Sequence, residues 1–328
     1  MTASVAIDRL HFVIEETPLW CVPTRAGLFT PPVDPTFDRN RCATLHAGEA
    51  VRALLAHPQQ PWVYVHAGHT VGWVFAAPLT PSVDVTSLES YRHADRRVAV
   101  VLDRADVTAP TVLEPAAGSP VRRAPLRLGT TLPLLDADPR GYRVLVADER
   151  GLAPARLPRS DALRVGPLPF RPSDVIRTAL DHVGQRYGWG GHGGDYDCSL
   201  FLRDLFAVFG VQLARHSAVQ AQLGSRSRDI GALDEAGKRA AIREAAQRGV
   251  VLLYMPGHIM LYLGEDGDRM YAVSAISEYL EPCESGPDTV RRLDRVAVTT
   301  LELGRSTQRK AFIERLTRIA SFGHVPVP

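Results

Sequence analysis

The stretch YGWGGHGGDYDCSLFL, residues 187–202, sets five glycines, one histidine, two aspartates and one cysteine within sixteen residues. Three chemistries use glycine-rich runs of this kind: a phosphate cradle, a metal site, or the approach to a nucleophile. A P-loop requires GxxxxGK[ST], and no lysine and hydroxyl residue follow Gly194 in that pattern. A dinucleotide fingerprint lies between a strand and a helix. Here the preceding VIRTALDHVGQRYG has helical spacing, with Val175, Ile176, Leu180 and Val183 on one face and Asp174 or Ser173 as N-cap. For a metal, His192, Asp195, Asp197 and Cys198 lie close in sequence, with His216 further on. There is no HExxH and no pair of thiols, so the spacing matches zinc patterns poorly.

The third chemistry explains more of the residues. Asp197 is a good N-cap for SLFLRDLFAVFG, a densely apolar helix ended by Gly210, which puts Cys198 in its first turn. Unsatisfied N–H groups and the helix dipole there favour a thiolate. The glycines let the chain turn sharply and bring backbone close to a substrate. Asp195 and Asp197 oppose the thiolate, so a base is needed. His258 opens the apolar run HIMLYLG directly after Pro256-Gly257, at a strand end, and a Cys–His pair requires closeness in space alone. His192 and His216 are rival bases, and His192 sits in a flexible glycine run. The plain alternative is a buried helix-start cysteine and a surface turn histidine.

The rest of the chain sets bounds. At 328 residues there is room for two or three domains, and 45% hydrophobic with 23% charged residues suits a globular protein. A formal charge of +2 gives no argument for nucleic acid. The best uninterrupted apolar run, VVLLYM at 250–255, is strand-sized, so no membrane span is expected. The start MTASVAIDRLHFVIEETP lacks a basic n-region and an h-region, which reads as cytoplasmic, or as periplasmic or extracellular if a leader was removed. Of four cysteines none forms CxxC; a Cys21–Cys42 disulfide is one option, and three ordinary buried thiols the simpler expectation.

The first half reads as short strands punctuated by Pro, Gly and Asp: TPLWCVPT, EAVRALLAH, PWVYVHAG, HTVGWVFA, RRVAVVLD and GYRVLVAD. Two related small barrels are expected, with a seam near residues 90–97, followed by a proline-rich linker over 157–174. After the linker, helices precede the strands VVLLYM, HIMLYLG, MYAVSAI and RVAVTTLEL, with GALDEAGKRAAIREAAQRG as a surface helix or long loop; this is an α+β pattern.

Four separated features, in order, resemble the NlpC/P60 family of bacterial cell-wall cysteine peptidases. YGWGG at 187–191 resembles its YxWGG lead-in, DCS at 197–199 its DCSG motif, LARHSAVQ at 213–220 its LPRxSxxQ stretch, and GHIMLYLG at 257–264 its catalytic-histidine strand. HAGEAVRALLAHPQQPWVYVHAGHTVGWV resembles the bacterial SH3-like (SH3b) modules that precede this domain in one branch. The resemblance covers residues 170–275 and 15–80. It implies a multidomain chain: two small all-β SH3-like barrels over 1–92 and 93–160, then an α+β papain-like domain over 161–328.

The activity so implied is cleavage of the bond between γ-D-glutamate and meso-diaminopimelate or L-lysine in peptidoglycan stem peptides, with a free N-terminal L-alanine preferred, as in muropeptide recycling. Carried over by motif, Cys198 is the nucleophile and His258 the general base, while Asp197, Ser199 and Ser217 hold the amino end and γ-D-Glu, with Tyr187 beside the nucleophile. The first SH3-like module would wall off the cleft, with Glu49 and Trp73 as candidate lining residues. No cofactor is required. Two departures stand out. Leu200 replaces the glycine after DCS, and the third catalytic position, usually histidine, falls on Ser274, with no obvious replacement downstream, His324 included. Serine can orient an imidazole but brings no charge. A wall-peptide-binding module of weak or absent activity, and a papain-like acyltransferase, therefore stand as alternatives.

Overall fold

Runs of β-branched and aromatic residues become strands throughout the computed structural model, which describes residues 4–93, 96–101, 126–323 and the backbone of 114–115. Among these residues, eighteen strands form three six-stranded sheets that pair antiparallel. Two compact units contain them: Met1–Leu168 with Trp189–Gly193 and Ala207–Gln212, and Pro169–Gly188 with Gly194–Phe206 and Leu213–Pro328.

The first unit holds two sheets. The strands β1 (Val5–Phe12), β2 (Thr17–Trp20), β3 (Arg41–Leu45), β4 (Ala50–Ala56), β5 (Trp62–His66) and β6 (Val71–Phe75) pair in the order β1-β4-β5-β6-β2-β3. Alternation decides what each strand buries: in β4, Val51 and Ala53 face the core while Arg52 between them is exposed. Helix α1 (Val85–Arg92), capped by Asp84 accepting the Ser87 N–H at 2.6 Å, stands at the expected seam. Beyond it come β7 (Arg97–Val100), β8 (Glu114–Pro115), β9 (Thr131–Asp138), β10 (Gly141–Asp148), β11 (Gly151–Pro158) and β12 (Leu163–Val165), ordered β12-β7-β9-β10-β11-β8. Phe12, Leu88, Tyr91 and Ala147 share one apolar cluster, so α1 knits the two sheets together.

The expected linker over 157–174 is too long. Leu163–Val165 pairs with Val98–Val100, because a short Leu-Arg-Val run between prolines can still complete a sheet edge.

The glycine run explains itself in this unit. Gly190 and Gly191 have φ of 64° and 81°, and a Cβ at Gly190 would lie 2.6 Å from the Arg41 carbonyl oxygen. Only glycine allows both the left-handed turn and that approach. Thr44 Oγ1 donates to the Gly190 carbonyl at 2.9 Å.

The cysteines depart from the simple expectation. Cys21 and Cys42 form a disulfide with Cα atoms 5.3 Å apart, Cys283 is exposed, and Cys198 alone is a buried thiol. The bridge fastens the end of β2 to β3 around an irregular loop whose apolar residues Val22, Leu28, Phe29 and Val33 stay exposed.

The second unit begins with α2 (Pro172–Leu180). Its N-cap is Arg171, without a side-chain bond, and Pro172 occupies the first turn, where no N–H is required. The expected face is only partly correct: Val175, Thr178 and Ala179 are buried, whereas Leu180 and Val183 are 44% and 47% exposed. The helix stops at Leu180, which removes Val183 from the stripe.

Helix α3 (Cys198–Ala207) is buried along almost its whole length, and α4 (Ser217–Gln220) and α5 (Glu235–Ala246) follow it. The strands β13 (Arg226–Asp229), β14 (Val250–Met255), β15 (His258–Asp266), β16 (Arg269–Glu281), β17 (Thr289–Thr300) and β18 (Arg318–Phe322) pair as β13-β18-β14-β15-β16-β17, with α6 (Phe312–Arg315) preceding β18. Helix α5 and α6 cover one sheet face through Ile242, Ala245, Phe312 and Ile313, packed on Leu253, Met260 and Ile319. Helices joined to an antiparallel sheet match the expected α+β pattern.

Removing the bridge by Cys21→Ser with Cys42→Ser should cost about 3 kcal/mol, the chain-entropy value for a loop of this size. Urea unfolding followed by tryptophan fluorescence checks this, and reductant should destabilise the parent protein alone.

Candidate functional site

The site grows from the first turn of α3. Asp197 caps it, with Oδ1 accepting the Leu200 N–H at 3.0 Å. Ser199 Oγ donates to the same oxygen at 3.1 Å. Arg215 then clamps the carboxylate: Nη1 donates to Oδ1 at 3.0 Å, and Nη2 donates to Oδ2. Nη1 also reaches Ser199 Oγ at 2.7 Å. The side chains of Arg215 and Asp197 are 6% and 7% exposed, so this bidentate pair lies out of water. Gln220 Nε2 completes the network, donating to the carbonyls of Ser199 at 2.8 Å and Ala214 at 2.7 Å.

Cys198 is buried at the start of this helix, and the backbone N–H groups of Ile259 and Ser199 act on its sulfur in favour of the thiolate. Burial, and next the charge of Asp197, push the thiol up to about 12, against the pull of the Ile259 N–H, Arg215 and the Ser199 N–H. Ile259 is the residue after His258, so this contact sets the nucleophile against the opening of β15. The turn at Pro256-Gly257, with Gly257 at φ 84°, returns β14 into β15 and places His258 opposite Met255 at the strand end.

His258 Nε2 lies 3.0 Å from Ser274 Oγ on the neighbouring strand β16, which leaves Nδ1 as the ring nitrogen not engaged by that contact. Burial, and next the charge of Arg315, hold the His258 ring down at about 4, while Asp197 pulls the other way. Ser274 is itself buried, so its hydroxyl is a fixed partner. Burial thus favours the neutral form of both the thiol and the imidazole.

The structure brings the remaining candidates to different places. Tyr187 bridges to Tyr196, just ahead of the nucleophile, and Ser217 opens α4, which packs on β15. Asp197 and Ser199 are turned into the Arg215 network. Leu200, in place of glycine, is buried within α3. Of the rival bases, His192 Nδ1 lies 2.7 Å from Arg41 Nη1 in the first unit, and His216 is an exposed N-cap. Glu49 and Trp73 lie in the first unit, Glu49 beside His69 and Trp73 against Tyr64. His324 lies outside the described residues. Sequence reasoning overlooked Arg215 and Gln220, although both stand in the quoted LARHSAVQ; their signal was a motif position whose role only burial reveals. Among the described residues, no three His, Cys, Asp or Glu are grouped to hold a metal ion.

A buried helix-start thiol next to the strand that a histidine opens is a peptidase-like arrangement. Residues 184–277 match the model of the NlpC/P60 family. The fold is similar to an NlpC/P60 endopeptidase from Photobacterium damselae subsp. piscicida, with TM-score 0.75, 17% identity, and 95% of this chain and 72% of that chain covered. It is similar also to an NlpC/P60 family protein from Bacillus cereus, with TM-score 0.63, 17% identity, and 95% and 99% covered. At this identity the likeness concerns the fold. No curated protein matches the chain. No helix among the described residues is long and apolar enough to cross a membrane.

Arg215→Met should destabilise the protein by about 3–5 kcal/mol, because it strands a buried carboxylate. Asp197→Asn in the same chain should recover part of the loss, a coupling that urea unfolding of the single and double variants measures. His258 makes stability depend on pH. Between 6.5 and about 4 the unfolded chain takes up a proton at this ring that the folded chain refuses. Stability should therefore fall as pH is lowered through that window, and His258→Asn should flatten the slope there in thermal melts.

Proposed function

We propose that the protein is a cysteine peptidase that hydrolyses the γ-D-glutamyl–diamino acid bond of peptidoglycan stem peptides and prefers a free N-terminal L-alanine. The observation that supports this reading is a helix-start thiol influenced by the backbone of Ile259, the residue after His258, whose own ring Nε2 is engaged by Ser274. The family match over the same residues supports it, since NlpC/P60 enzymes act on peptidoglycan peptides.

In this mechanism Cys198 is the nucleophile. Its proton passes to His258 Nδ1 as sulfur attacks the γ-glutamyl carbonyl carbon. The tetrahedral adduct collapses, and His258 returns the proton to the departing amine of the diamino acid. Water, deprotonated by His258, then cleaves the thioester and regenerates the thiol. Ser274 holds the ring and fixes which nitrogen faces the sulfur. Tyr187 and Ser217 flank the acyl half of the substrate. Asp197 and Ser199 read its amino end, with Arg215 keeping both in place. An uncapped ammonium can share the Asp197 carboxylate, whereas an acetylated amine cannot. The two sheets of the first unit are, in this reading, SH3-like modules, the second ending in β12.

A second reading, peptide binding with little turnover, is favoured by one observation: Ser274 offers His258 a neutral partner, which stabilises an imidazolium less than a charged one would.

The test is incubation with L-Ala-γ-D-Glu-meso-diaminopimelate, following L-Ala-γ-D-Glu by mass spectrometry. Wild type should release the dipeptide, Cys198→Ala should not, and an N-acetylated peptide should be cut at least tenfold more slowly, as expected when a buried polar group is left unpaired. Binding without release would favour the second reading.

A further inference from the structure

Arg315 carries a charge that the fold leaves without an acidic partner. It closes the short helix α6, half-buried, with its guanidinium carbon 6.0 Å from the centroid of the Phe312 ring. The same ring lies 5.8 Å from the His258 ring, so Phe312 is a common neighbour of the arginine and the histidine. The carboxylates of the surrounding segments are engaged elsewhere. Glu314 accepts the Ala311 N–H at 2.7 Å. Glu278 is held by Arg309 at 2.8 Å, and Asp294 by Arg292 at 2.9 Å. Among the described residues none pairs with Arg315. Burial, and next the charge of Arg309, lower the pKa of Arg315, as expected for a cation held away from water with no counter-ion. A fold keeps such a group at a cost, and a visiting anion removes that cost.

In the reaction proposed above His258 delivers a proton to the departing amine, and an unpartnered cation that shares the Phe312 ring with His258 can meet a carboxylate on that half of the substrate. We propose that Arg315 binds a carboxylate on the departing diamino acid and so selects substrates that carry one there. This rests on the peptidase reading above. Two carboxylates qualify: the α-carboxylate of a terminal diamino acid, and the side-chain carboxylate that diaminopimelate has and lysine lacks. If the second is read, lysine places an ammonium against the guanidinium and is rejected. Docking of either carboxylate also offsets the charge that holds His258 down, so a bound substrate makes the ring a better proton acceptor.

The experiment compares full-length wild type, Arg315→Gln and Arg315→Lys on four peptides. These are L-Ala-γ-D-Glu-meso-diaminopimelate, its α-carboxamide, its side-chain carboxamide, and the L-lysine analogue. Arg315→Gln should lower kcat/KM for the diacid by roughly tenfold to a hundredfold, the loss expected for a charge-assisted pair. It should have little further effect on the amide that removes the carboxylate being read, and Arg315→Lys should retain part of the activity. The amide that mimics the variant identifies the source.

The same peptides titrated calorimetrically into Cys198→Ala, with and without Arg315→Gln, measure recognition without turnover. Equal affinity for acid and amide forms, no binding of any peptide, or an equal loss on all peptides in Arg315→Gln would overturn the assignment. Failure of wild type to cleave any peptide, with acid still bound more tightly than amide, would instead remove the peptidase reading and leave Arg315 as the carboxylate reader.

Discussion

The bidentate contact between Arg215 and Asp197 is the interaction on which the rest of the site depends. Two charges taken out of water gain little net stability unless their remaining hydrogen-bonding groups are satisfied. Here the carboxylate also accepts from Ser199 Oγ and the Leu200 N–H, while Arg215 Nε is buried without a hydrogen-bond partner among the described residues. The contact therefore locks the segment 213–220 to the first turn of α3 and leaves Cys198 one orientation. The two charges also act in opposite senses on the sulfur, Asp197 against the thiolate and Arg215 for it. Position is secured without placing a large net field on the nucleophile.

Burial favours the neutral form of both reactive groups. Both groups are desolvated, and the partner of His258 is a hydroxyl that orients the ring without stabilising its cation. An unproductive encounter meets a thiol, not a thiolate, which limits oxidation and adventitious alkylation. The charge of Arg315 adds to this restraint by holding the His258 ring down.

Much of this was legible before any coordinates. The Asp-Cys-Ser turn, the Pro-Gly return into His258 and the helical run after Cys198 all use local rules, namely capping, a tight turn and apolar periodicity, and such rules leave marks a few residues apart. The glycine run was read as flexible, yet Gly190 is fixed by its approach to Arg41. Leu163–Val165 looked like linker because a three-residue edge strand leaves no periodic signal. The end of α2 was misjudged because a helix stops where its packing stops, and Val183 remains apolar beyond that point. Arg215 and Arg315 are two among many arginines in the sequence. What separates them is burial beside a carboxylate in one case and the lack of any in the other, and both are properties of the folded chain alone.

The sheet order carries one further consequence. Strand β18, at residues 318–322, lies between β13 and β14, and β14 is the strand that supports β15 and His258. During synthesis the nucleophile leaves the ribosome more than a hundred residues before that central strand. Until β18 pairs, β14 has one free edge and the platform beneath His258 is unfinished. Completion of the sheet around His258 is thereby timed to the synthesis of β18, so a nascent chain stalled before it would have Cys198 but lack the strand that supports β14.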